Sequence, residues 1–306
     1  MPLQSTKREN SMLGKKKIID SRKLTGYLFL VLPVLIYSVF FIAPNVAALY
    51  NSVFQWNGLS SEKPFVGLAN FRKLFSDRVF LMAFVNTIKY TVTLVIFQTL
   101  FGFILAILVY KESRVHNVFR TIYFLPAIMA TATVGLIWGF IYDPNFGALN
   151  EFLRIIGLSS LRKSWLSDEK IVIYAITAVH VWIGIGQSVV LFIAGLQNVP
   201  TELYESASLD GASSWKQLIN ITIPLIRSTT VIVLVLTTIG GFKAFDFVYV
   251  MTNGGATHTS EVLSTLLYKE AYAYSDVGLS SAISVVLLLV VSIITFIQLF
   301  AMRKKD

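Results

Sequence analysis

Residues 205–224 read ESASLDGASSWKQLINITIP, and this polar interval separates two long apolar parts of the chain. The apolar run before it covers about residues 171–197, and the next run begins inside it at about residue 221. A bilayer core takes about 20 helical residues to cross, so both runs are long enough to span a membrane. The interval would then lie on one side of the membrane, where it joins two spanning helices.

The composition of the 306-residue chain is that of a membrane protein. Hydrophobic residues make up 55% of it and charged residues 14%, whereas soluble domains carry roughly 25% charge. Backbone groups in lipid must be satisfied within their own segment, so each spanning run is predicted to be a helix. The predicted fold class is therefore an all-α polytopic membrane protein with six transmembrane helices. The six runs lie at about residues 26–48, 84–110, 121–142, 171–197, 221–242 and 278–302.

Basic residues indicate the orientation, because cytoplasmic segments carry an excess of Lys and Arg. Seven of them lie in residues 1–24, which favours a cytoplasmic N-terminus, and six spans then put the C-terminus and the 198–224 loop on the same side. The formal charge of +9 follows this membrane-surface pattern and does not indicate a nucleic-acid partner. The chain is predicted to consist of a cytoplasmic basic tail, a first transmembrane helix, an extracytoplasmic amphipathic segment, a five-helix core that contains the loop, and a short cytoplasmic tail. These parts are residues 1–24, 25–50, 51–83, 84–302 and 303–306.

The loop has the signals of two short helices. Pro200 is tolerated in the first turn of a helix, and Gly211 suits a left-handed cap at its end. Ser214 followed by Gln217 predicts a capping box for a second helix, which Pro224 would bend where it enters the membrane. On this pattern alone, an ordinary helical loop and a stiff element that a partner protein moves are equally open.

The loop also carries a family motif. Its pattern Glu-x-Ala-x3-Gly-x9-Ile-x-x-Pro resembles the EAA loop of permease subunits in binding-protein-dependent ABC importers, although Ser206 and Ile223 stand where that family has Ala and Leu. In that family the loop is a coupling helix that seats in a cleft of the ATPase subunit. The resemblance therefore implies ATPase coupling through this loop. The residues concerned are Glu205, Ala207, Asp210, Gly211, Ile221 and Pro224.

The resemblance extends over nearly the whole chain and is closest to the carbohydrate branch, which includes maltose and glycerol-phosphate permeases of the first-of-pair type. Ala256 departs from the Pro that usually follows the Gly-Gly pair. The family implies a type I importer permease fold, a second homologous permease as heterodimer partner, two ATPase subunits and an extracytoplasmic sugar-binding protein. The similar residues are Phe65-Val66-Gly67-Leu68, Asn70-Phe71, Asn86-Thr87, Leu125-Pro126, Gly147, Asn150, Trp165-Leu166, Phe245-Asp246 and Thr252-Asn253-Gly254-Gly255.

A path for a sugar needs aromatic surfaces and uncharged hydrogen-bonding groups at the centre of the bundle. His180, Gly184 and Gln187 are spaced by four and three residues, so they share one face of the fourth helix. The resemblance to the maltose permease implies that this stretch lines the path, with Ile183 added. The alternative is that His180 and Gln187 only bond neighbouring helices. Weaker candidates for the path are Thr131, Thr237, Gly241 and Ala244.

Lys243 and Asp246 are three residues apart near the outer end of the fifth helix. They are predicted to form a local ion pair, with contact to the substrate as the alternative.

The chain has no evident energy source of its own. Nothing in it resembles the phosphate loop Gly-x4-Gly-Lys-Ser/Thr, and its six apolar runs lack the carboxylates that proton-coupled carriers usually place in the membrane. It has no cysteine and only three well-separated histidines, so no metal cluster is expected. The chain is predicted to be a transport subunit rather than an enzyme, with ATP and Mg²⁺ used by partner ATPase subunits and a sugar or oligosaccharide as cargo. A stand-alone secondary carrier or channel for a small polar solute is the alternative.

Overall fold

The computed structural model of the chain describes residues 21–110, 118 and 121–302. Most of the predicted basic tail at 1–24, most of residues 111–120 between the second and third predicted spans, and the predicted tail at 303–306 lie outside the described residues.

The N-terminal unit comprises residues 1–48 and is described by itself. Its helix α1 (Ser21–Tyr37) continues through one π-helical turn into α2 (Ala43–Asn51). The stretch Phe29–Asn51 is long and apolar enough to cross a membrane. A helix that is apolar on every side suits a lipid environment, which agrees with the first spanning helix predicted from the sequence.

The second unit comprises residues 49–306, and its described part is built of helices with short connections. Across the described residues of both units, five helical stretches, Phe29–Asn51 among them, are long and apolar enough to span a membrane, or six when one bent pair counts as a single span. The all-α class is therefore confirmed. The helices of this unit are α3 (Ala69–Ser76), α4 (Arg78–Val109), α5 (Thr131–Ile141), α6 (Ala148–Ile155), α7 (Val172–Gln197), α8 (Thr201–Leu209), α9 (Ser214–Gln217), α10 (Ile223–Leu225), α11 (Arg227–Phe242), α12 (Asp246–Thr252), α13 (Leu263–Tyr268) and α14 (Val277–Met302).

The third predicted span is not one continuous helix. Thr121–Ile128 and α5 form the bent pair, with an angle of 103° between them. Pro126 lies in the 3-10 turn that ends the first piece, where its missing N–H cannot continue an α-helical ladder. Met129 and Ala130 then take extended conformations. The single helix expected from apolar content is thus corrected to two shorter helices that meet at a corner.

The fifth span also differs from its prediction. Helix α10 contains Pro224 and ends at Leu225, and the next residue, Ile226, has φ −89° and ψ 11°. The spanning stretch therefore begins after this break and covers Arg227–Thr252, rather than the predicted residues 221–242. The fourth and sixth predicted spans correspond closely to α7 and α14.

Helix α4 organises the second unit, because it packs along both α7 and α11. Close approach to α7 is possible at Gly102, where an added Cβ would lie 2.6 Å from the Cβ of Ser188. Along its length α4 contributes to three separate hydrophobic clusters, through Phe80, Tyr90 and Ala106.

Buried asparagines support the connections between the spans. Asn70 Nδ2 donates to the carbonyl oxygens of Ser52 and Phe54 at 2.8 and 3.0 Å. Asn150 Oδ1 accepts from Trp165 Nε1 at 2.9 Å. These are among the residues that carry the family resemblance, and the structure gives them a local role in holding the loops.

Candidate functional site

The polar loop after α7 forms two helices joined at a tight corner. Helix α8 begins directly after Pro200, which has φ −60° and ψ 131°. Gly211 has φ +76°, a conformation that costs glycine little because it has no Cβ. The N–H of Gly211 donates to the Ser208 carbonyl at 3.1 Å, and the N–H of Ala212 donates to the Ala207 carbonyl at 2.8 Å. This is a Schellman cap, and both the predicted start and the predicted end of the helix are confirmed.

Two side-chain hydrogen bonds fasten α8 to the segment that follows it. The Tyr204 hydroxyl and Thr222 Oγ1 lie 2.9 Å apart, and Gln217 Nε2 donates to Ser208 Oγ at 2.9 Å. The predicted capping box of Ser214 and Gln217 is wrong, because the N-terminus of α9 has no side-chain cap. Gln217 bonds back to α8 instead, so the two short helices are held as one element.

Part of this element is exposed and includes large apolar side chains. Leu209 is 89% exposed and Trp215 is 69% exposed, and the Glu205 side chain is exposed as well. We call these three residues the exposed loop face. Large apolar side chains exposed on a polar loop are typical of a surface that binds a protein.

The other side of the element is anchored in the bundle. Tyr204 and Ile221 pack against the hydrophobic cluster that contains Phe192 and Leu196 of α7. Of the residues predicted to couple to an ATPase, four are exposed, Ala207 is half-buried, and Ile221 belongs to this anchored side. The exposed four are Glu205, Asp210, Gly211 and Pro224.

A cavity of about 80 Å³ lies between α4, α7 and α11. Four of the residues predicted for the substrate path line it, namely His180, Gly184, Gln187 and Thr237. The cavity is smaller than the roughly 300 Å³ of the smallest ordinary ligand pockets, so the bundle must open before a sugar ring could pass. A larger cavity of about 370 Å³ beside α10 and α11 is almost wholly apolar, and Thr99 and Thr230 are the polar residues in its lining.

His180 has two roles in the structure. It lines the cavity, and its Nδ1 lies 2.8 Å from the Tyr90 hydroxyl of α4. Its ring also packs against Phe247 of α12, with ring centroids 5.3 Å apart. A helix-joining role for His180 is therefore as well supported as a role in the path.

The remaining predicted path residues do not line the cavity. Ile183 and Ala244 are buried in the hydrophobic core, and Gly241 packs so closely on Thr91 that an added Cβ would lie 2.8 Å from its side chain. Thr237 does line the cavity, although its hydroxyl donates back to the backbone of its own helix at 2.8 and 3.1 Å.

The predicted ion pair between Lys243 and Asp246 is wrong. Asp246 Oδ2 instead accepts a hydrogen bond from Thr131 Oγ1 at 3.0 Å, while Lys243 is exposed. This bond joins the start of α5 to the start of α12 and occupies the hydroxyl of Thr131, another predicted path residue.

Two polar residues of the cavity were missed from the sequence. Gln98 of α4 and Ser188 of α7 both line it, and Gln98 Nε2 donates to Ser188 Oγ at 3.1 Å. Gln98 could have been predicted from the sequence, because it places an amide within an apolar run. Polar groups in membrane helices usually face the bundle interior.

A buried ion cluster lies beyond α12, in the connection to α14. Glu261 is fully buried, and its Oε2 lies 2.6 Å from Lys269 Nζ and 3.0 Å from His258 Nδ1. Lys269 also donates to the Asn253 carbonyl at 2.8 Å. Gly254 leaves the space that this cluster needs, since an added Cβ would lie 2.3 Å from Glu261 Oε2.

The chain is similar to a known protein family, to individual relatives and to a solved structure. Residues 98–305 match the profile of a family described as "Binding-protein-dependent transport system inner membrane component". The chain is 37% identical to "Probable ABC transporter permease protein YurN" of Bacillus subtilis, over 92% of this chain and 97% of that protein. It is 34% identical to the arabinooligosaccharides transport system permease protein AraP of Bacillus subtilis, over 94% of this chain and 91% of that protein. A chain of a bacterial ABC transporter involved in the import of the acidic polysaccharide alginate superposes with a TM-score of 0.81 at 21% identity, covering 94% of this chain and 97% of that one.

Proposed function

The chain belongs to the family of binding-protein-dependent transport system inner membrane components, and we propose that it carries a sugar or oligosaccharide through the membrane as the permease subunit of an ATP-driven importer. Its relatives are permease proteins, so the chain is a membrane transport subunit and not an enzyme. The carbohydrate cargo is supported by the arabinooligosaccharide system of one relative. The uncharged polar groups of the cavity lining support it independently.

The observation that carries the proposal is the construction of the 198–224 loop. Its exposed loop face is free to contact a partner, and its anchored side packs on α7, the helix that contributes His180, Gly184 and Gln187 to the cavity. A force applied to the loop is therefore transmitted to a helix that lines the path. In this mechanism the coupling residues are Glu205, Ala207, Asp210, Gly211, Ile221 and Pro224.

The proposed assembly contains a second homologous permease, two ATPase subunits and an extracytoplasmic sugar-binding protein. ATP and Mg²⁺ are used in the ATPase subunits, and this chain binds no cofactor. ATP binding draws the two coupling loops together and opens the bundle outward, where the binding protein delivers the sugar, and hydrolysis resets it. Both termini and the loop are cytoplasmic in this arrangement.

The test is ATP-dependent uptake into proteoliposomes that contain the whole complex, with arabinotriose and maltotriose as probes. Gly211→Ala forces a Cβ into a left-handed conformation at the corner of the loop, and Glu205→Ala removes the exposed carboxylate. Both changes are expected to reduce uptake and ATP hydrolysis stimulated by the binding protein to background. The matched controls lie elsewhere on the chain: Gly157→Ala, where φ is +80° with equally open surroundings, and Glu62→Ala, an exposed carboxylate. Normal uptake in both loop variants would overturn the coupling role.

A further inference from the structure

The Gln98 amide is fixed in the cavity by its own hydrogen bonds. Gln98 is only 6% exposed, and its Nε2 donates to the Gly184 carbonyl at 2.9 Å and to Ser188 Oγ at 3.1 Å. A carbonyl oxygen can only accept hydrogen bonds. The amide nitrogen must therefore face Gly184, and this fixes the direction of the amide oxygen as well.

The amide oxygen is left without a partner. Both hydrogens of Nε2 are used by Gly184 and Ser188, and within the described part of the chain no group donates to Oε1. Gln98 lines the cavity, so its free acceptor lies beside it. The cavity is too small in this conformation for more than a small group. A fixed acceptor that has no donor among the described residues can take a hydrogen bond from a hydroxyl group of a ligand in the cavity.

Gly184 permits this arrangement. An added Cβ at that position would lie 2.7 Å from Gln98 Oε1 and 2.8 Å from the amide carbon and nitrogen. The amide therefore lies directly against the backbone of α7.

We propose that Gln98 is a specificity-determining residue of the path, whose fixed amide oxygen accepts a hydrogen bond from a hydroxyl group of the passing sugar. The inference rests on the proposed function and adds a residue on α4 to a site otherwise predicted on α7. A hydroxyl is the appropriate donor because sugars present many of them. Gln98 selects for a hydroxyl because its orientation is fixed before the sugar arrives.

The test compares wild type with Gln98→Met, which keeps the length of the side chain and removes the acceptor. Uptake by the whole reconstituted complex is measured for arabinotriose, maltotriose and the monodeoxy analogues of whichever sugar is transported. In the wild type, one analogue is expected to show a KM roughly tenfold higher than the parent sugar. In Gln98→Met, the parent sugar should show the same roughly tenfold rise, and the deoxy analogue should be no worse than the parent.

Gln298 provides the matched control. It lies on α14, its Nε2 donates to Thr238 Oγ1 at 2.8 Å, and its own Oε1 is buried without a partner, but it does not line the cavity. Gln298→Met is expected to leave the KM values and the discrimination among analogues unchanged.

Two outcomes would overturn the inference alone. One is equal discrimination among the deoxy analogues by wild type and Gln98→Met. The other is a rise in KM in Gln298→Met as large as that in Gln98→Met, because it would show a general effect of losing an interhelical amide. If the wild-type complex transports neither sugar, the proposed carbohydrate function fails, and the inference fails with it.

Discussion

Gly184 is the position where one added methyl group would disturb the cavity most directly. Gly184→Ala places a Cβ within 2.8 Å of the Gln98 amide, and overpacking of this kind costs about 1–3 kcal/mol of stability. We expect a decrease of that size in the free energy of unfolding of the purified complex in detergent, together with a loss of sugar uptake.

Gly139→Ala is the control for that change. Gly139 lies in α5, and an added Cβ there meets no atom within 4 Å. Its stability should be unchanged or slightly higher, because Ala is the better helix former by up to about 1 kcal/mol. Equal effects at both glycines would show that the contact with Gln98 is unimportant.

The ion pair of Glu261 and Lys269 gives a second prediction for single residues. Lys269→Met removes the cation that pairs with the fully buried Glu261 carboxylate, and breaking a buried pair costs about 3–5 kcal/mol. The double variant Glu261→Gln with Lys269→Met is expected to be more stable than Lys269→Met alone, because it leaves no uncompensated charge. Chemical denaturation of the purified complex measures both.

Lys73→Met tests whether burial is the cause. Lys73 pairs with Asp276 at 3.5 Å, and its side chain is 64% exposed, so its loss should cost no more than about 1 kcal/mol. A similar cost at Lys73 and Lys269 would contradict the role given to burial.

Only some of the path residues could be predicted from the sequence. His180, Gly184 and Gln187 were predictable because they lie on one helix, where spacing alone defines a face. Gln98 is on another helix, and no spacing rule pairs residue 98 with residue 184. Its role depends on how α4 and α7 pack, which becomes visible only in the folded bundle.

Among the structural elements, the exposed loop face is expected to contribute to binding of the ATPase subunit. Leu209 and Trp215 are largely exposed, so replacing them removes little packing within the chain. Where such residues are anchors in a protein interface, truncation typically costs more than 1 kcal/mol of binding. We expect Leu209→Ser and Trp215→Ser each to weaken binding of the ATPase subunit roughly tenfold, as measured by titrating the detergent-solubilised permease pair with that subunit.

Leu59→Ser is the matched control for this experiment, because Leu59 is 90% exposed but lies in the predicted extracytoplasmic segment. It should bind the ATPase subunit as tightly as wild type. Unchanged affinity in both loop variants would mean that the ATPase does not contact this face.

The helix boundaries in the structure depend more on individual residues such as glycine and proline than on the extent of each apolar run. The cap at Gly211 was predictable because a left-handed residue after a helix strongly favours glycine. The corner after Pro126 was missed, since a window of apolar residues has the same composition whether its helix is straight or broken. The capping box failed because Gln217 had a competing partner on α8, and a pattern of two residues carries no information about such a partner.

For the whole molecule, the proposed function divides the work of transport between this chain and other proteins. The described residues provide a bundle with a narrow polar cavity and a loop that is anchored to it. The match to a distant transporter chain at a TM-score of 0.81 shows that this fold persists at 21% identity. Composition and helix count predicted an all-α membrane protein, and the resemblance of the 205–224 motif implied the permease fold. In the proposed mechanism, the opening of the cavity depends on partner proteins.

The proposed orientation can be tested by thiol labelling. The chain has no cysteine, so a maleimide reacts with this chain only at a thiol that is introduced. Ser61 in the segment before α3 and Ser214 in the loop are both exposed. The basic N-terminal tail predicts that Ser214 lies in the cytoplasm and Ser61 outside it. A membrane-impermeant maleimide is therefore expected to label Ser61→Cys in intact cells (with any outer membrane removed), and to label Ser214→Cys only after the membrane is permeabilised. Labelling of Ser214→Cys in intact cells would invert the topology and exclude contact between the loop and a cytoplasmic ATPase.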